Sequence, residues 1–385
     1  MECRSISSED ISSRIMRRAR CSNTFRYSTD AAGNVRMLGD EKRKILAEEH
    51  VGLSNREQRL EPPQPISSNI EQLLHCWRWI ALVEPLSFHQ SSGENNEAAL
   101  PDNIVWPANS LLSSGIMKLM RMTSRDAQDE SSDWIDTKTI SETLFCDVFD
   151  SPLRRAALFA CGWIKRDGAL SELLDECQSR GEYERSAALA AWHGDLNSCI
   201  EALQHAADKT KSQAKEGAEN HGGISNSHSN SYSETLSLIA MCVAGYNVTP
   251  TGDGVLKSTK LWSSACDNML KRLDVDSSDI PQPQLHGVSY LRSILLFLQD
   301  IGSNSGFKRS IYDDAICLAD RVGFACRFLP WSDLHSFLEA SMRECMSVGN
   351  LEGLLITGLD KRGISLLQSY TDQSADVQTV ALISW

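Results

Sequence analysis

From Ile70 almost to the last residue, apolar side chains recur at helical spacing. The clearest stretch opens at Ser151, a good N-cap, with Pro152 at the first helical position. Leu153, Ala156, Ala157, Ala160, Cys161 and Ile164 then form one stripe. Leu158, Phe159 and Trp163 lie off that stripe and are apolar too, so this helix is expected to have neighbours on more than one side. Residues 184–193 predict an Ala-rich helix closed by Gly194; Asp195 then caps a second helix with Leu196, Cys199, Ile200 and Leu203 on one face. A turn that short folds the two helices back into an antiparallel hairpin. The device recurs where Ser332 caps a helix with Leu334, Phe337, Leu338, Met342 and Cys345 facing inward, Gly349 ends it, and Asn350-Leu351 opens the next element.

Between these joints, residues 234–245, 259–273, 288–299 and 313–329 read as helices. The last has Asp313 and Asp314 in its first turn and Arg327 in its last, as the helix dipole favours. No segment sustains the period-two alternation of a sheet. The expected fold class is therefore all-α: an α-solenoid of stacked antiparallel helix hairpins, each pair burying its faces on the next. Its repeats match no named consensus.

Two stretches break the pattern. Residues 1–69 are rich in Ser, Arg and Glu and close on Glu61-Pro62-Pro63-Gln64-Pro65; they read as a weakly ordered lead-in, with a short exposed helix at 40–50. Residues 208–233 carry only Ile224 and Tyr232 as large apolar side chains. Fixing each residue costs about 1–2 kcal/mol, and burying two side chains returns about 3–6 kcal/mol in all, so a disordered insertion is expected there. The expected domains are thus 1–69 as lead-in, 70–207 and 234–385 as the two parts of the solenoid, and 208–233 between them.

Charge and cysteine content narrow the function classes. Lys and Arg number 38 against 51 Asp and Glu, a formal charge of −13, which leaves no basic footprint for nucleic acid or an anionic membrane. The longest apolar runs, such as 294–298, are far shorter than a membrane span, and no apolar leader follows the N-terminus, so a soluble, non-exported chain is expected. Twelve cysteines are scattered rather than clustered, which fits thiols in a reducing compartment. Cys161, Cys199, Cys326 and Cys345 sit at apolar helix positions, where a thiol acts as a small hydrophobe.

The chemistry-bearing motifs mostly fail. The 252–259 stretch, GDGVLKST, looks like a phosphate loop but has Leu256 where Gly is needed and no buried strand before it, so a turn into a helix is expected. Asp274, Asp276 and Ser278 open like a calcium loop, but Asp279 and Leu285 occupy the positions of its Gly and its bidentate Glu. No C-x-x-C, H-E-x-x-H or G-x-S-x-G occurs. His75 beside Cys76, and His335, read as solvated or partly packed imidazoles; Trp77, Trp79, Trp163, Trp192 and Trp262 read as core. Catalytic, cofactor-binding and metal-binding residues are all expected to be none; an unrecognised enzyme site would have to lie around His335 or Asp274.

Four segments carry a resemblance. RRAALFACGWIKRDG (154–168), GEYERSAALAAWHGDLNSCIEAL (181–203), RVGFACRFL (321–329) and GNLEGLLITGLDKRGISLLQSYTDQSADVQTVAL (349–382) are similar to the α-solenoid of the Mio ("missing oocyte") WD-repeat family, a component of GATOR subcomplex two, the SEA complex of yeast. The likeness covers about 70–382 and is strongest in the last 60 residues. Its matched positions include Gly162, Trp163, Arg185, Gly349, Asn350, Gly353 and Gln378; the residues themselves suggest turns for the glycines, core for Trp163 and a cap for Asn350.

The resemblance implies a non-enzymatic scaffold. Family members join an N-terminal β-propeller, this solenoid and a C-terminal zinc domain, and assemble with other propeller proteins, among them a small propeller shared with the nuclear pore. The assembly promotes amino-acid-dependent signalling by target-of-rapamycin complex one at the lysosomal or vacuolar surface. No WD repeat precedes Ile70 and no zinc-ligand cluster precedes Trp385, so a fragment or a solenoid-only form is expected. The rival reading, resting on fold analogy, is a coat or nuclear-pore solenoid in membrane trafficking.

Overall fold

The structure, a computed structural model, describes residues 35–36, 66–88, 111–121, 146, 148–164, 170–220, 226–246, 249–250, 256–257, 260–276, 282–301 and 307–384. Its helices in chain order are α1 (Ile66–Phe88), α2 (Leu111–Arg121), α3 (Pro152–Ala160), α4 (Leu170–Ser179), α5 (Tyr183–Trp192), α6 (Leu196–Asn220), α7 (Asn226–Ala244) and α8 (Lys260–Asp276). They continue with α9 (Gln282–Asp300), α10 (Lys308–Ile311), α11 (Leu318–Phe328), α12 (Trp331–Val348), α13 (Leu354–Thr357), α14 (Lys361–Ser374) and α15 (Val377–Ser384), with a 3₁₀ turn at Leu351–Gly353. The all-α expectation holds. The one departure among the described residues is a two-residue antiparallel ladder pairing Thr249 with Lys257 and Pro250 with Leu256; residues 252–255 and 258–259 of the failed phosphate loop lie outside the described residues.

The chain divides into two compact units. One holds 130–159 and 163–330, and within it α4 to α7 follow one another as hairpins. The expected Gly194 joint is present in full: Gly194 takes φ 79°, Asp195 N–H donates to Ala190 O at 2.9 Å and Gly194 N–H to Ala191 O at 3.0 Å. Asp195 Oδ1 then accepts from Ser198 N at 3.0 Å, capping α6. Helix α9 returns to pack on α5, so this unit has a contact between non-neighbours that simple hairpin stacking does not supply.

The other unit holds 1–129, 160–162 and 331–385. Its core is built from Leu74 and Trp77 on α1, Ile116 and Leu119 on α2, Leu334, Phe337 and Leu338 on α12, and Leu354 and Leu366 beyond. The Gly349 joint matches its counterpart: φ is 63°, Asn350 N–H donates to Cys345 O at 2.9 Å, and the Asn350 side chain accepts from Glu352 N at 2.9 Å. It opens a 3₁₀ turn rather than a long helix. Here too backbone lies directly on backbone: a Cβ on Gly115 would overlap the Ile356–Gly358 backbone, and one on Gly358 would come 2.5 Å from Gly115 N and 2.7 Å from Ser114 N.

Several expected boundaries are corrected. Ser151 does cap α3, its Oγ accepting from Arg154 N at 3.2 Å, but the helix stops at Ala160 and Gly162 turns with φ 74°, so Cys161 and Ile164 reach the core from a turn. Helix α12 begins at Trp331, directly after Pro330, which puts Ser332 inside the helix rather than at its cap. The expected 313–329 helix is two pieces: Asp313 Oδ1 accepts from Ala315 N at 3.1 Å in a turn, and α11 starts only at Leu318. The first helix begins at Ile66, four residues ahead of the expected boundary, while the expected helix at 40–50 lies outside the described residues.

The insertion expected at 208–233 is narrowed from both ends, since α6 runs to Asn220 and α7 begins at Asn226. Two contacts explain this. The 208–220 stretch extends a helix already nucleated and capped at Asp195, and propagation is far cheaper than nucleation. At the other end Tyr232 donates to Glu184 at 2.8 Å and Ser233 Oγ to Ala207 O at 3.0 Å. Residues 221–225 lie outside the described residues.

Candidate functional site

The largest concentration of buried polar chemistry lies in the 163–330 part of its unit. Asp320, in the first turn of α11, is 0% exposed. Arg185 on α5 forks onto it, Nε to Oδ2 at 2.6 Å and the second guanidinium arm to Oδ1 at 3.0 Å. Tyr290 on α9 donates to Oδ2 at 2.5 Å, and the Trp163 indole N–H to Oδ1 at 3.0 Å. One carboxylate therefore ties together α5, α9, α11 and the turn after α3. Glu182 and Cys177 flank Arg185 at 3.0 Å and 3.8 Å.

The electrostatics agree from both sides. Burial alone would push the Asp320 carboxyl up; the Arg185 charge, with hydrogen bonds from Arg185, Tyr290 and Cys317, outweighs it and holds the group below the usual carboxylate value. Burial likewise opposes the Arg185 charge, and Asp320 outweighs it, leaving the guanidinium above its ordinary value. The Tyr290 hydroxyl, raised by burial and then by Asp320, stays a donor.

Aromatic packing surrounds the hub. Trp163 and Trp192 stack at 5.4 Å with a 9° interplanar angle, and Phe324 meets Trp192 edge-on at 5.4 Å. Gly323 lies flat beneath Trp163, where a Cβ would come 2.6 Å from the indole. His193 leans on Trp163 at 5.4 Å and its Nδ1–H donates to Leu189 O at 2.8 Å. Burial, reinforced by the Arg327 charge, lowers its pKa to about 3, so the ring is neutral at physiological pH. Nearby, Arg154 donates to Cys326 O at 2.6 Å and Leu329 O at 2.9 Å, closing the C-terminal end of α11.

This arrangement binds helices together around one enclosed carboxylate. Of the positions singled out in the sequence, Trp163 and Arg185 meet at the hub, Asn350 caps, Gly349 makes its joint, Gly162 and Gly353 sit at turns, and Gln378 is exposed. His75 is half-buried and paired with Glu352; His335 is exposed, 3.7 Å from Glu339; Asp274 pairs with Arg292. These three are not brought together. Trp77, Trp79, Trp192 and Trp262 are buried, as are Cys161, Cys199, Cys326 and Cys345. Among the described residues no group of three or more His, Cys, Asp or Glu is placed to hold a metal, and no helix is long and apolar enough to cross a membrane.

Sequence reasoning missed Asp320, Tyr290 and Gly323. Asp320 passes for an ordinary helix-dipole carboxylate, and Tyr290 is one aromatic on an apolar helix. A glycine inside a helix, which costs about 1 kcal/mol against Ala, was the available sign of a close approach.

The hub residues on α5 and α11 lie in segments that match known proteins. The family model described as "MIOS, alpha-solenoid" matches residues 55–328. The chain belongs to the MIOS α-solenoid family. It is 28% identical over 252 residues to a GATOR2 complex protein MIOS of Dictyostelium discoideum, covering 64% of this chain and 21% of that protein. Over 299 residues it is 28% identical to GATOR2 complex protein MIOS of Danio rerio, covering 77% and 28%. Over 231 residues it is 32% identical to SEH-associated protein 4 of Saccharomyces cerevisiae, covering 60% and 18%. The chain thus spans between 18% and 28% of the length of these relatives.

Proposed function

We propose that this chain is a non-enzymatic scaffold segment of a GATOR2/SEA-type complex, holding partner subunits on its helical exterior. The reading rests on one observation: family membership over 55–328, in a chain whose principal polar cluster is spent on joining its own helices. Relatives named for GATOR2 and for association with SEH support partners among the other subunits of such a complex; on our reading these include a small nuclear-pore-type β-propeller. On this reading the complex promotes amino-acid-dependent signalling by target-of-rapamycin complex one, and the chain is cytoplasmic and peripheral to the lysosomal or vacuolar membrane through its partners.

Affinity purification of this chain from cells at native level, beside the full-length gene product, tests the proposal. Co-isolation of the propeller and the other complex subunits is the expected result. A full-length product that returns alone, or that concentrates at the nuclear envelope or on secretory vesicles, overturns it.

A further inference from the structure

Cys242 on α7 and Cys266 on α8 are neighbours whose thiols act on one another. Cys266 is fully buried, whereas Cys242 is half-buried and is preceded by Met241, which is 60% exposed. The two helices are pinned at this level: the Trp262 indole N–H donates to Cys242 O at 2.7 Å, and Tyr246 meets the Trp262 ring edge-on at 5.4 Å. Trp262 and Cys266 are four residues apart and share one face of α8, so fixing the indole on Cys242 also sets the Cys266 thiol beside it.

We propose that Cys242 and Cys266 form a peroxide-sensitive dithiol that closes to a disulfide between α7 and α8. The Cys242 thiolate attacks one oxygen of hydrogen peroxide; an S–O bond forms, the O–O bond breaks, and the departing hydroxide takes up a proton and leaves as water. Sulfur is then oxidised to sulfenic acid. The Cys266 sulfur attacks the Cys242 sulfur, the S–S bond forms as the S–O bond breaks, and the hydroxide leaves with the Cys266 proton as a second water. Two thiols have lost two electrons and two protons, and one peroxide has become two waters.

The roles are unequal. Hydrogen bonding from Cys266 lowers the Cys242 thiol to about 7 against the opposing pull of burial, while the same bond, with burial and the nearby charges, pushes Cys266 far up. Cys242 is therefore the attacking sulfur and Cys266 the resolving one. The other buried thiols, such as Cys76, Cys199 and Cys326, are pushed upward by burial, which makes them inert by comparison.

The test is peroxide treatment of the reduced full chain, followed by alkylation and mass spectrometry of non-reduced peptides. A linked peptide joining Cys242 to Cys266, two hydrogens lighter and released by reductant, is expected. Before oxidation Cys242 should react with N-ethylmaleimide at neutral pH about tenfold faster than the half-buried Cys317. In Cys266→Ala, checked for helix content by circular dichroism, the linked peptide is lost and Cys242 sulfenic acid is trapped by dimedone. Wild-type chain in which Cys242 oxidises without linking to Cys266, or in which it reacts no faster than Cys317, overturns the proposal whatever the variant does.

Discussion

The two units of the chain are held by opposite means. In the 163–330 region the fastening is directional and charged: one enclosed carboxylate accepts from Arg185, Tyr290 and Trp163. In the 111–121 and 331–385 region it is steric, with backbone lying on backbone where Gly115 crosses Gly358. A charged hub fails when one partner is removed and the others are left buried without it. A glycine crossing fails when anything at all is added. Conservative substitutions therefore have different meanings in the two units.

The steric unit carries the largest expected effect. Gly115 combines φ 61° with a Cβ position already occupied by the Ile356–Gly358 backbone. Gly115→Ala should cost more than about 4 kcal/mol, the range reached by severe core strain. Hydrogen exchange would show α2, α12 and α14 losing protection while α5 and α9 keep theirs. Equal loss in all five would mean that the crossing does not act locally.

The charged unit comes next. Asp320→Asn keeps the shape but removes the buried counter-charge of Arg185, leaving it only the partly exposed Glu182 at 3.0 Å, and should cost about 3 kcal/mol, the lower end for a broken buried pair. Asp320→Leu combined with Arg185→Met should cost clearly less than the two single changes together, because removing both charges removes the desolvation burden. Denaturant unfolding with constant m values measures both. Strict additivity would show that the pair is not energetically coupled, against the 2.6 Å and 3.0 Å fork.

The two helix joints sharpen the contrast on a smaller scale. Gly194→Ala meets the left-handed backbone penalty of about 1–2 kcal/mol. Gly349→Ala meets that penalty and places a Cβ 3.0 Å from Tyr370 Cα, so it should cost about 1 kcal/mol more. Equal costs would indicate that Tyr370 yields freely.

Those joints were legible in the sequence because their causes are local: a glycine at the C′ position, an Asp or Asn after it, and apolar residues at helical spacing. The hub was not, because Trp163, Arg185, Tyr290 and Asp320 lie far apart in the chain and each has an innocuous local reading. The all-α class followed from periodicity alone. The two ends of the 208–233 stretch were set too wide because its ordering cost was weighed against its own two apolar side chains, whereas 208–220 continues a helix started elsewhere and Tyr232 borrows Glu184 from α5. The split of 313–329 was missed because adjacent Asp313 and Asp314 suit a turn as well as a first helical turn.

The remaining effect vanishes at neutral pH, is titratable and sits beside the hub. His193 is lowered to about 3 in the folded protein, through burial and then Arg327, against about 6.5 when unfolded. Between those values the unfolded chain binds a proton that the folded chain refuses. Stability from this group is therefore complete above about pH 6.5 and falls as pH drops toward 3, by at most about 1.4 kcal/mol per pH unit. Asp320 adds its own loss only lower down, as pH falls through the carboxylate range and beyond. His193→Gln keeps a polar side chain of similar size without the titration, so the difference between wild type and variant should shrink or reverse as pH falls from 7 to 4. Denaturant midpoints across that window measure it, and parallel curves would mean that His193 is protonated in the folded chain despite its place against Trp163 and Arg327.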